Sequence, residues 1–202
     1  MEIIDGIYEG IKHLSTLEAL GVVFGLLSVW FAKRESIWVF PTGIISVLIY
    51  VYLCFQIRLY ADMAINVYYF VMSVYGWYYW SRKSASSDHH TPITWNSGRD
   101  WIWTIVLLIV SFIILSQLLL RLTDSDVPLI DALTTAIFFS GMQLMARKKI
   151  ENWLAWIIGD FISIPLYYYK GLVLTSFQFF IFFIIAILGY LSWKKTLDQS
   201  KN

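Results

Sequence analysis

The chain has 202 residues, of which 58% are apolar and only 14% are charged, and its mean hydropathy is +0.64. A soluble domain carries about 25% charged residues, so this composition excludes a soluble globular protein and predicts a polytopic membrane protein. The net charge of +1 gives no reason to expect nucleic-acid binding, and the single cysteine excludes an internal disulfide and a cysteine metal cluster. We therefore expect neither a metal ion nor a cofactor.

The first segment, residues 1–16, carries charges among its apolar positions, which suits a short interfacial segment better than a signal peptide. Seven apolar runs follow, each bounded by charges or turn residues and close to the length of about 20 residues that a span needs. In chain order these runs are 17–33, 36–55, 61–81, 101–120, 130–146, 150–169 and 173–193. The pattern predicts an all-α integral membrane protein with seven transmembrane helices.

Positive charge is distributed unevenly between the two ends of these spans. Of the 15 lysines and arginines, eleven fall on the side that holds residues 82–100 and the C-terminus, and four fall on the other side. Under the positive-inside rule, residues 82–100 and the C-terminus are cytoplasmic and the N-terminus is outside.

The last three spans repeat the first three when the chain is aligned with itself at one constant shift of 113 residues. This repeat shift aligns Leu59 with Leu172, Gly76 with Gly189 and Trp80 with Trp193. Because one odd helix separates the two groups, both run in the same direction, which predicts parallel repeats with a substrate site between them. The mid-membrane polar positions do not repeat, since Asp160 aligns with Val47. One asymmetric ligand between two similar walls would explain this difference, and so would drift in an old duplication.

The connections between the spans are tight, apart from the linker at residues 82–100, which is rich in Ser, Asp, Thr and Gly. The predicted organisation is an interfacial segment (1–16), a first three-helix repeat (17–81), a cytoplasmic loop with a linker helix (82–121), a second three-helix repeat (122–193) and a cytoplasmic tail (194–202).

The sixth span carries an aspartate, Asp160, near its middle, where an ionised carboxylate costs about 2.5–3.5 kcal/mol on insertion scales. Trp153, Trp156 and Tyr167 share its helix face. No lysine or arginine lies at a comparable depth in any span. A carboxylate that has no protein cation and is flanked by aromatic rings predicts a site for a cationic ligand. The alternative is a carboxyl group that is protonated or hydrogen-bonded to a neighbouring side chain.

Four further polar residues are candidates for binding hydroxyl or amide groups of the same ligand. They are Asn66 and Tyr69 on the third span, Gln143 on the fifth and Gln178 on the seventh. The alternative for such side chains is that they bind membrane helices to one another.

Two stretches, LYADMAINVYYFVMSVYGWYYW (59–80) and ENWLAWIIGDFISIPLYYYKGLVLT (151–175), resemble the PnuC family of bacterial vitamin transporters. The specific features are the W-x-x-W of Trp153 and Trp156 and the Tyr-Gly-Trp of residues 75–77. The resemblance extends over nearly the whole chain.

This resemblance implies a 3+1+3 arrangement of helices, related to that of full-length SWEET sugar transporters, and a homotrimer in the bacterial inner membrane. It implies facilitated diffusion of nicotinamide riboside without ion coupling, with phosphorylation by a cytoplasmic vitamin kinase as the trap. Members that carry nicotinamide riboside commonly have an asparagine where this chain has Asp160. Related members carry other vitamins, including the cationic thiamine, which is therefore the alternative substrate.

An intramembrane enzyme is a remote alternative. The Gly-x-Gly-Asp pattern of intramembrane aspartyl proteases fails because Ile157 replaces its first glycine, and neither H-E-x-x-H nor G-x-S-x-G occurs. A retinal photoreceptor needs a lysine deep in the last span, and residues 173–193 contain none. We therefore expect a transporter and not an enzyme.

Overall fold

The structure, a computed structural model, describes residue 8 and residues 15–82, 91–123 and 125–199. The described helices are α1 (Thr16–Lys33), α2 (Val39–Gln56), α3 (Tyr60–Trp80), α4 (Gly98–Leu122), α5 (Pro128–Ala146), α6 (Asn152–Tyr169) and α7 (Val173–Gln199). Each predicted span coincides with one of these helices, which confirms the all-α fold. The largest difference lies in α7, which continues to Gln199, beyond the predicted end of the span at 193. Most of the predicted interfacial segment and residues 83–90 of the linker lie outside the described residues.

Local sequence signals set several helix starts. The hydroxyl of Ser15 accepts a hydrogen bond from the backbone N–H of Glu18 and caps α1. Ser97 and Asp100 form a reciprocal capping box at the start of α4. Pro128 occupies the first turn of α5, where its missing N–H removes no helical hydrogen bond.

Two of the seven helices are less apolar than the rest. Five helices are long and apolar enough to cross a membrane, whereas α3 and α6 do not reach this standard. These two helices carry Asn66 and Asp160, together with many tyrosines and tryptophans. A helix that lines a cavity within a bundle can carry such residues, because only part of its surface meets lipid.

Six helices form a closed ring. Within α1–α3, which we call the first unit, and within α5–α7, the second unit, each helix packs against the next. Contacts of α1 with α7 and of α3 with α5 join the two units. Helix α4 packs only against α5 among the described helices, so it lies outside the ring. This pattern supports two three-helix units and a separate fourth helix, although the domain boundaries and the parallel relation of the units stay predictions.

The two units contain matching aromatic pairs. Phe40 and Trp80 in the first unit meet edge to face with ring centroids 5.1 Å apart and an interplanar angle of 89°. Trp153 and Trp193 in the second unit meet in the same way, at 5.5 Å and 90°. The repeat shift aligns Phe40 with Trp153 and Trp80 with Trp193. The repeat proposed from the sequence therefore has equivalent packing in both units.

Each unit also donates a hydrogen bond from a tryptophan to the other. The indole Nε1 of Trp80 donates to the carbonyl oxygen of Met145 at 3.2 Å, and that of Trp193 donates to the carbonyl oxygen of Ala32 at 2.9 Å. The repeat shift that aligns the two donors also aligns the two acceptors. These reciprocal hydrogen bonds tie the end of each unit to the last turn of the first helix in the other.

We expect Trp80→Phe and Trp193→Phe each to destabilise the protein by about 1 kcal/mol, because each removes one inter-unit hydrogen bond. Thermal unfolding of the purified protein in detergent measures this, and such a loss lowers the melting temperature by roughly 2–4 °C for a chain of this size. The matched control is Trp101→Phe, at a tryptophan that is 44% exposed. Equal melting temperatures for all three variants would contradict the role of the hydrogen bonds.

The corresponding loops of the two units turn through the same backbone conformation. Glu35 and Lys148, in the α1–α2 and α5–α6 loops, both have φ of 56°. Arg58 and Gly171, in the α2–α3 and α6–α7 loops, have φ of 60° and 74°. The left-handed region is uncommon for residues other than glycine, so its recurrence at matching positions supports a common origin of the two units.

An ion pair joins the two units close to Trp80, since Lys148 Nζ lies 4.8 Å from the centroid of that ring. Lys148 Nζ lies 3.5 Å from Glu35 Oε2 and donates a hydrogen bond to the carbonyl oxygen of Thr91 at 2.8 Å. Burial lowers the pKa of Lys148, and the Glu35 carboxylate opposes this change. Together with the indole hydrogen bonds, this pair holds the units together at the end that the charge distribution predicts to be cytoplasmic.

Candidate functional site

A cavity of about 270 Å³ lies inside the helix ring. All six ring helices contribute to its lining, and α4 contributes none of it. The lining residues are Gly25, Ser28, Val29, Val39, Phe40, Gly43, Ser46, Val47, Tyr69, Ser73, Phe138, Met142, Met145, Trp153, Trp156, Asp160, Phe179, Phe182 and Ala186. Asp160 is the only acidic or basic residue in this set, so the cavity is an apolar chamber that contains one carboxyl group.

Many lining residues are paired by the internal repeat. At the repeat shift the pairs are Gly25 with Phe138, Val29 with Met142, Phe40 with Trp153, Gly43 with Trp156, Val47 with Asp160, Tyr69 with Phe182, and Ser73 with Ala186. The cavity therefore lies between equivalent surfaces of the two units. Its chemistry is asymmetric, since the carboxyl group and the larger rings belong mainly to the second unit.

Asp160 is the ninth of the 18 residues of α6, and it is only 3% exposed. Among the described residues, neither a hydrogen bond nor an ion pair connects its side chain to another group. A buried charge that has no partner is unfavourable by several kcal/mol. A cationic ligand in the cavity would remove this cost.

Four aromatic rings of the second unit form a stack, and three of them belong to the cavity lining. Trp156 and Phe138 stack with centroids 5.5 Å apart, and Phe138 and Phe179 stack at 5.8 Å with an interplanar angle of 9°. Tyr167 stacks on the far side of Phe179 at 4.9 Å, and it does not line the cavity itself. The ligand-facing part of the stack is therefore formed by Trp156, Phe138 and Phe179.

Trp153 and Tyr69 line the cavity from opposite units. Trp153 is fully buried, and its benzo ring lies directly on Gly189 of α7. Tyr69 packs edge to face against Phe139, with centroids 5.8 Å apart. Trp153 therefore combines a structural contact with a position in the cavity lining.

Three of the polar residues proposed from the sequence lie away from the cavity lining. Asn66 donates a hydrogen bond through Nδ2 to the carbonyl oxygen of Asp62, one turn earlier in its own helix. Gln143 has a buried Oε1 that lacks a hydrogen-bond partner among the described residues. Gln178 is half-buried on α7. A direct role for these three side chains in binding stays a prediction, without a contact to the cavity.

Sequence reasoning missed the small residues of the first unit that line the cavity: Gly25, Ser28, Gly43 and Ser46. A glycine or serine in an apolar helix usually indicates close helix packing rather than a binding surface. The signal that could have found them is the repeat itself, because two of them align with Phe138 and Trp156.

Comparisons with known proteins agree with this architecture. The family model described as nicotinamide mononucleotide transporter matches residues 15–195. The nicotinamide riboside transporter PnuC of Escherichia coli (strain K12) is 29% identical over 89% of this chain and 85% of its own length. The riboflavin/roseoflavin transporter RibM of Streptomyces davaonensis is 23% identical over 90% of this chain and 86% of its own length.

A solved structure also resembles this fold. The crystal structure of the vitamin B3 transporter PnuC covers 98% of this chain and 90% of its own, with a TM-score of 0.71 and 20% sequence identity. At this identity the likeness concerns the fold. The family match, which spans nearly all of the chain, excludes the enzyme alternative. The chain therefore belongs to the PnuC family and is a multi-pass membrane transporter for a vitamin.

Proposed function

We propose that this protein carries nicotinamide riboside across the bacterial inner membrane by facilitated diffusion, and that intracellular phosphorylation traps the substrate. The observation that carries the proposal is Asp160, a buried carboxyl group without a protein partner among the described residues, in an otherwise apolar cavity. Nicotinamide riboside bears a pyridinium cation, which would supply the missing positive charge. The relative from Escherichia coli, a nicotinamide riboside transporter, supports the same substrate.

The cavity offers a separate surface for each part of this ligand. The pyridinium ring would stack on Trp156 and Phe138, since the face of an aromatic ring attracts a cation by about 0.5–2 kcal/mol. The ribose hydroxyls would meet Tyr69 and Ser73, two residues of the cavity lining that carry hydroxyl groups. Trp156 Nε1 is a buried donor that has no partner among the described residues, so it is available to a ligand oxygen.

Transport would follow from rocking of the first unit against the second, with the N-terminus outside and the C-terminus cytoplasmic. Ion coupling is unnecessary in this mechanism, because the substrate itself supplies the charge that balances Asp160. The resemblance to PnuC proteins also suggests a homotrimer and a cytoplasmic vitamin kinase as the functional partner.

Thiamine is the second candidate substrate. Its thiazolium ring is cationic and planar, so the carboxyl group of Asp160 would suit it equally well. Riboflavin, suggested by the relative RibM, has a neutral three-ring system that would leave Asp160 without a counter-charge.

Titration of the purified protein with nicotinamide riboside, thiamine and riboflavin in parallel tests the substrate. A ligand present at a hundredfold excess over its Kd stabilises the folded protein by about 2.7 kcal/mol, which a thermal-shift assay detects. We expect nicotinamide riboside to stabilise the protein and riboflavin to have no effect. Stabilisation by thiamine alone would reassign the substrate, and stabilisation by none of the three would refute the proposed function.

Uptake into proteoliposomes tests the transport mechanism. With the membrane potential held at zero, we expect radiolabelled nicotinamide riboside to reach equal concentrations on both sides, and an imposed proton or sodium gradient to leave this plateau unchanged. A kinase and ATP enclosed in the vesicles should raise the total label above the plateau. Accumulation of unmodified substrate that depends on a gradient would contradict facilitated diffusion.

A further inference from the structure

In the second unit, two large rings lie over two glycines where α5 meets α6. A Cβ atom on Gly159 would collide with the ring of Phe138. A Cβ atom on Gly141 would lie 3.4 Å from Cε2 of Trp156. Both rings line the cavity, and the glycines let them lie flat against the helix surface.

The equivalent contacts in the first unit involve only small residues. Gly25 takes the place of Phe138 and faces Ser46, whose Oγ would be 3.2 Å from an added Cβ atom. Gly43 takes the place of Trp156 and faces Ser28, whose Oγ would be 2.9 Å from an added Cβ atom. The first unit therefore presents a flat wall where the second unit presents two rings.

The two serines of this wall have no hydroxyl proton to offer a ligand. Ser28 Oγ donates to the carbonyl oxygen of Val39 at 2.8 Å, and Ser46 Oγ donates to the carbonyl oxygen of Gly21 at 2.8 Å. Their oxygen atoms remain as acceptors. An acceptor surface favours the electropositive edge of a cationic ring over a carbonyl or hydroxyl oxygen that needs a donor.

The carboxyl group of Asp160, which has no partner within the described part of the chain, is a separate indication of a ligand in the same cavity. Asp160 is 3% exposed. Its equivalent in the first unit is Val47, a lining residue that follows Ser46 of the flat wall in the sequence. The cavity thus combines a buried carboxyl group and aromatic rings of the second unit with a flat surface of the first unit.

We propose that Gly25 and Gly43 determine the substrate class of this transporter. The planar cationic heteroaromatic ring of the substrate occupies the space that the first-unit counterparts of Phe138 and Trp156 would fill. The ring lies between the flat wall and the aromatic wall, within reach of Asp160. This inference rests on the proposed function, and it adds that size selection resides in α1 and α2.

Two double variants test it by giving the first unit the packing that the second unit already has. Gly43→Trp with Ser28→Gly reproduces the pair Trp156 and Gly141. Gly25→Phe with Ser46→Gly reproduces the pair Phe138 and Gly159 in the same way. Binding of nicotinamide riboside and thiamine is measured calorimetrically, and folding is followed by thermal unfolding without ligand. The matched control is Gly98→Trp, because nothing lies within 4 Å of a Cβ atom at that glycine.

We expect both double variants to bind each cationic vitamin at least about tenfold more weakly than the unmodified protein, a loss of about 1.4 kcal/mol. Their melting temperatures should stay close to that of the unmodified protein, and Gly98→Trp should bind normally. Normal binding by a folded double variant would overturn this inference and leave the proposed function intact. Failure of the unmodified protein to bind either vitamin would instead overturn the proposed function.

If the double variants do not fold, Gly25→Ala tests the same inference. It adds one methyl group to the same wall, 3.2 Å from Ser46 Oγ, which must move by a few tenths of an ångström. We expect binding to weaken about threefold or more. Binding equal to that of the unmodified protein would overturn the inference.

Discussion

Asp160→Leu is expected to weaken binding of nicotinamide riboside at least about tenfold, and to leave binding of its reduced, uncharged form unchanged. The substitution keeps the branched shape of the side chain and removes the carboxyl group that would face the pyridinium cation, without the hydrogen-bonding groups that asparagine would keep. Loss of one member of a buried charge pair typically costs about 2–5 kcal/mol, so a tenfold change, which is about 1.4 kcal/mol, is a conservative lower limit. Calorimetric titration with the two forms of the riboside measures the difference, since they differ by one hydride and by charge.

The same variant should be more stable than the unmodified protein when no ligand is present, because it no longer buries an unpartnered carboxyl group. Thermal unfolding without vitamin tests this second expectation. The control is Asp126→Leu, which removes a carboxyl group from an exposed loop residue and should change neither binding nor stability. Equal weakening for the charged and the reduced riboside would refute a charge-specific role for Asp160.

Gly189→Ala is expected to destabilise the protein by about 1–3 kcal/mol, as overpacking of a dense core usually does. An added Cβ atom would lie 2.6 Å from three atoms of the Trp153 ring, a fully buried ring with little freedom to move. We expect a melting temperature several degrees lower, and a lower uptake rate, because displacement of Trp153 alters the cavity lining.

Three further variants make this test specific. Gly76→Ala, the equivalent change in the first unit, meets the ring of Phe40 and should have a similar effect. Gly98→Ala adds the same methyl group where nothing lies within 4 Å, and it should cause no loss. In the double variant Gly189→Ala with Trp153→Phe, the shorter ring should restore part of the stability. If Gly189→Ala alone kept its full stability, α6 and α7 could move apart at this contact without a loss of folding free energy, which would contradict the prediction.

The helices could be predicted well from the sequence. Helix starts and ends depend on local signals, which can be recognised without the rest of the chain. The signals here are long apolar runs, tight charged loops, and the capping residues Ser15 and Ser97. The predicted starts and ends therefore lie close to those of α1–α7. The extension of α7 to Gln199 was missed because its last residues are polar, and a helix can continue beyond the membrane surface.

The candidate site could be predicted only in part. Trp153, Trp156 and Asp160 share a face of α6 through simple helical spacing, and the structure places all three in the cavity lining. Gln143 and Gln178 were chosen for their polarity, and neither belongs to that lining. Polarity alone does not reveal direction, since a polar residue in a membrane helix can face a ligand or a neighbouring helix.

The sequence by itself determined the class of protein, the number of spans, the position of the buried carboxyl group and the family. Only the tertiary structure decided which residues line the cavity together, such as Gly25 and Gly43 of the first unit and the rings of Phe138 and Trp156 of the second. In a soluble protein, the apolar face of a helix marks its buried side. In a membrane, the side that meets lipid is also apolar, so the sequence pattern does not distinguish inside from outside, and only the packing of helices far apart in the chain makes that choice.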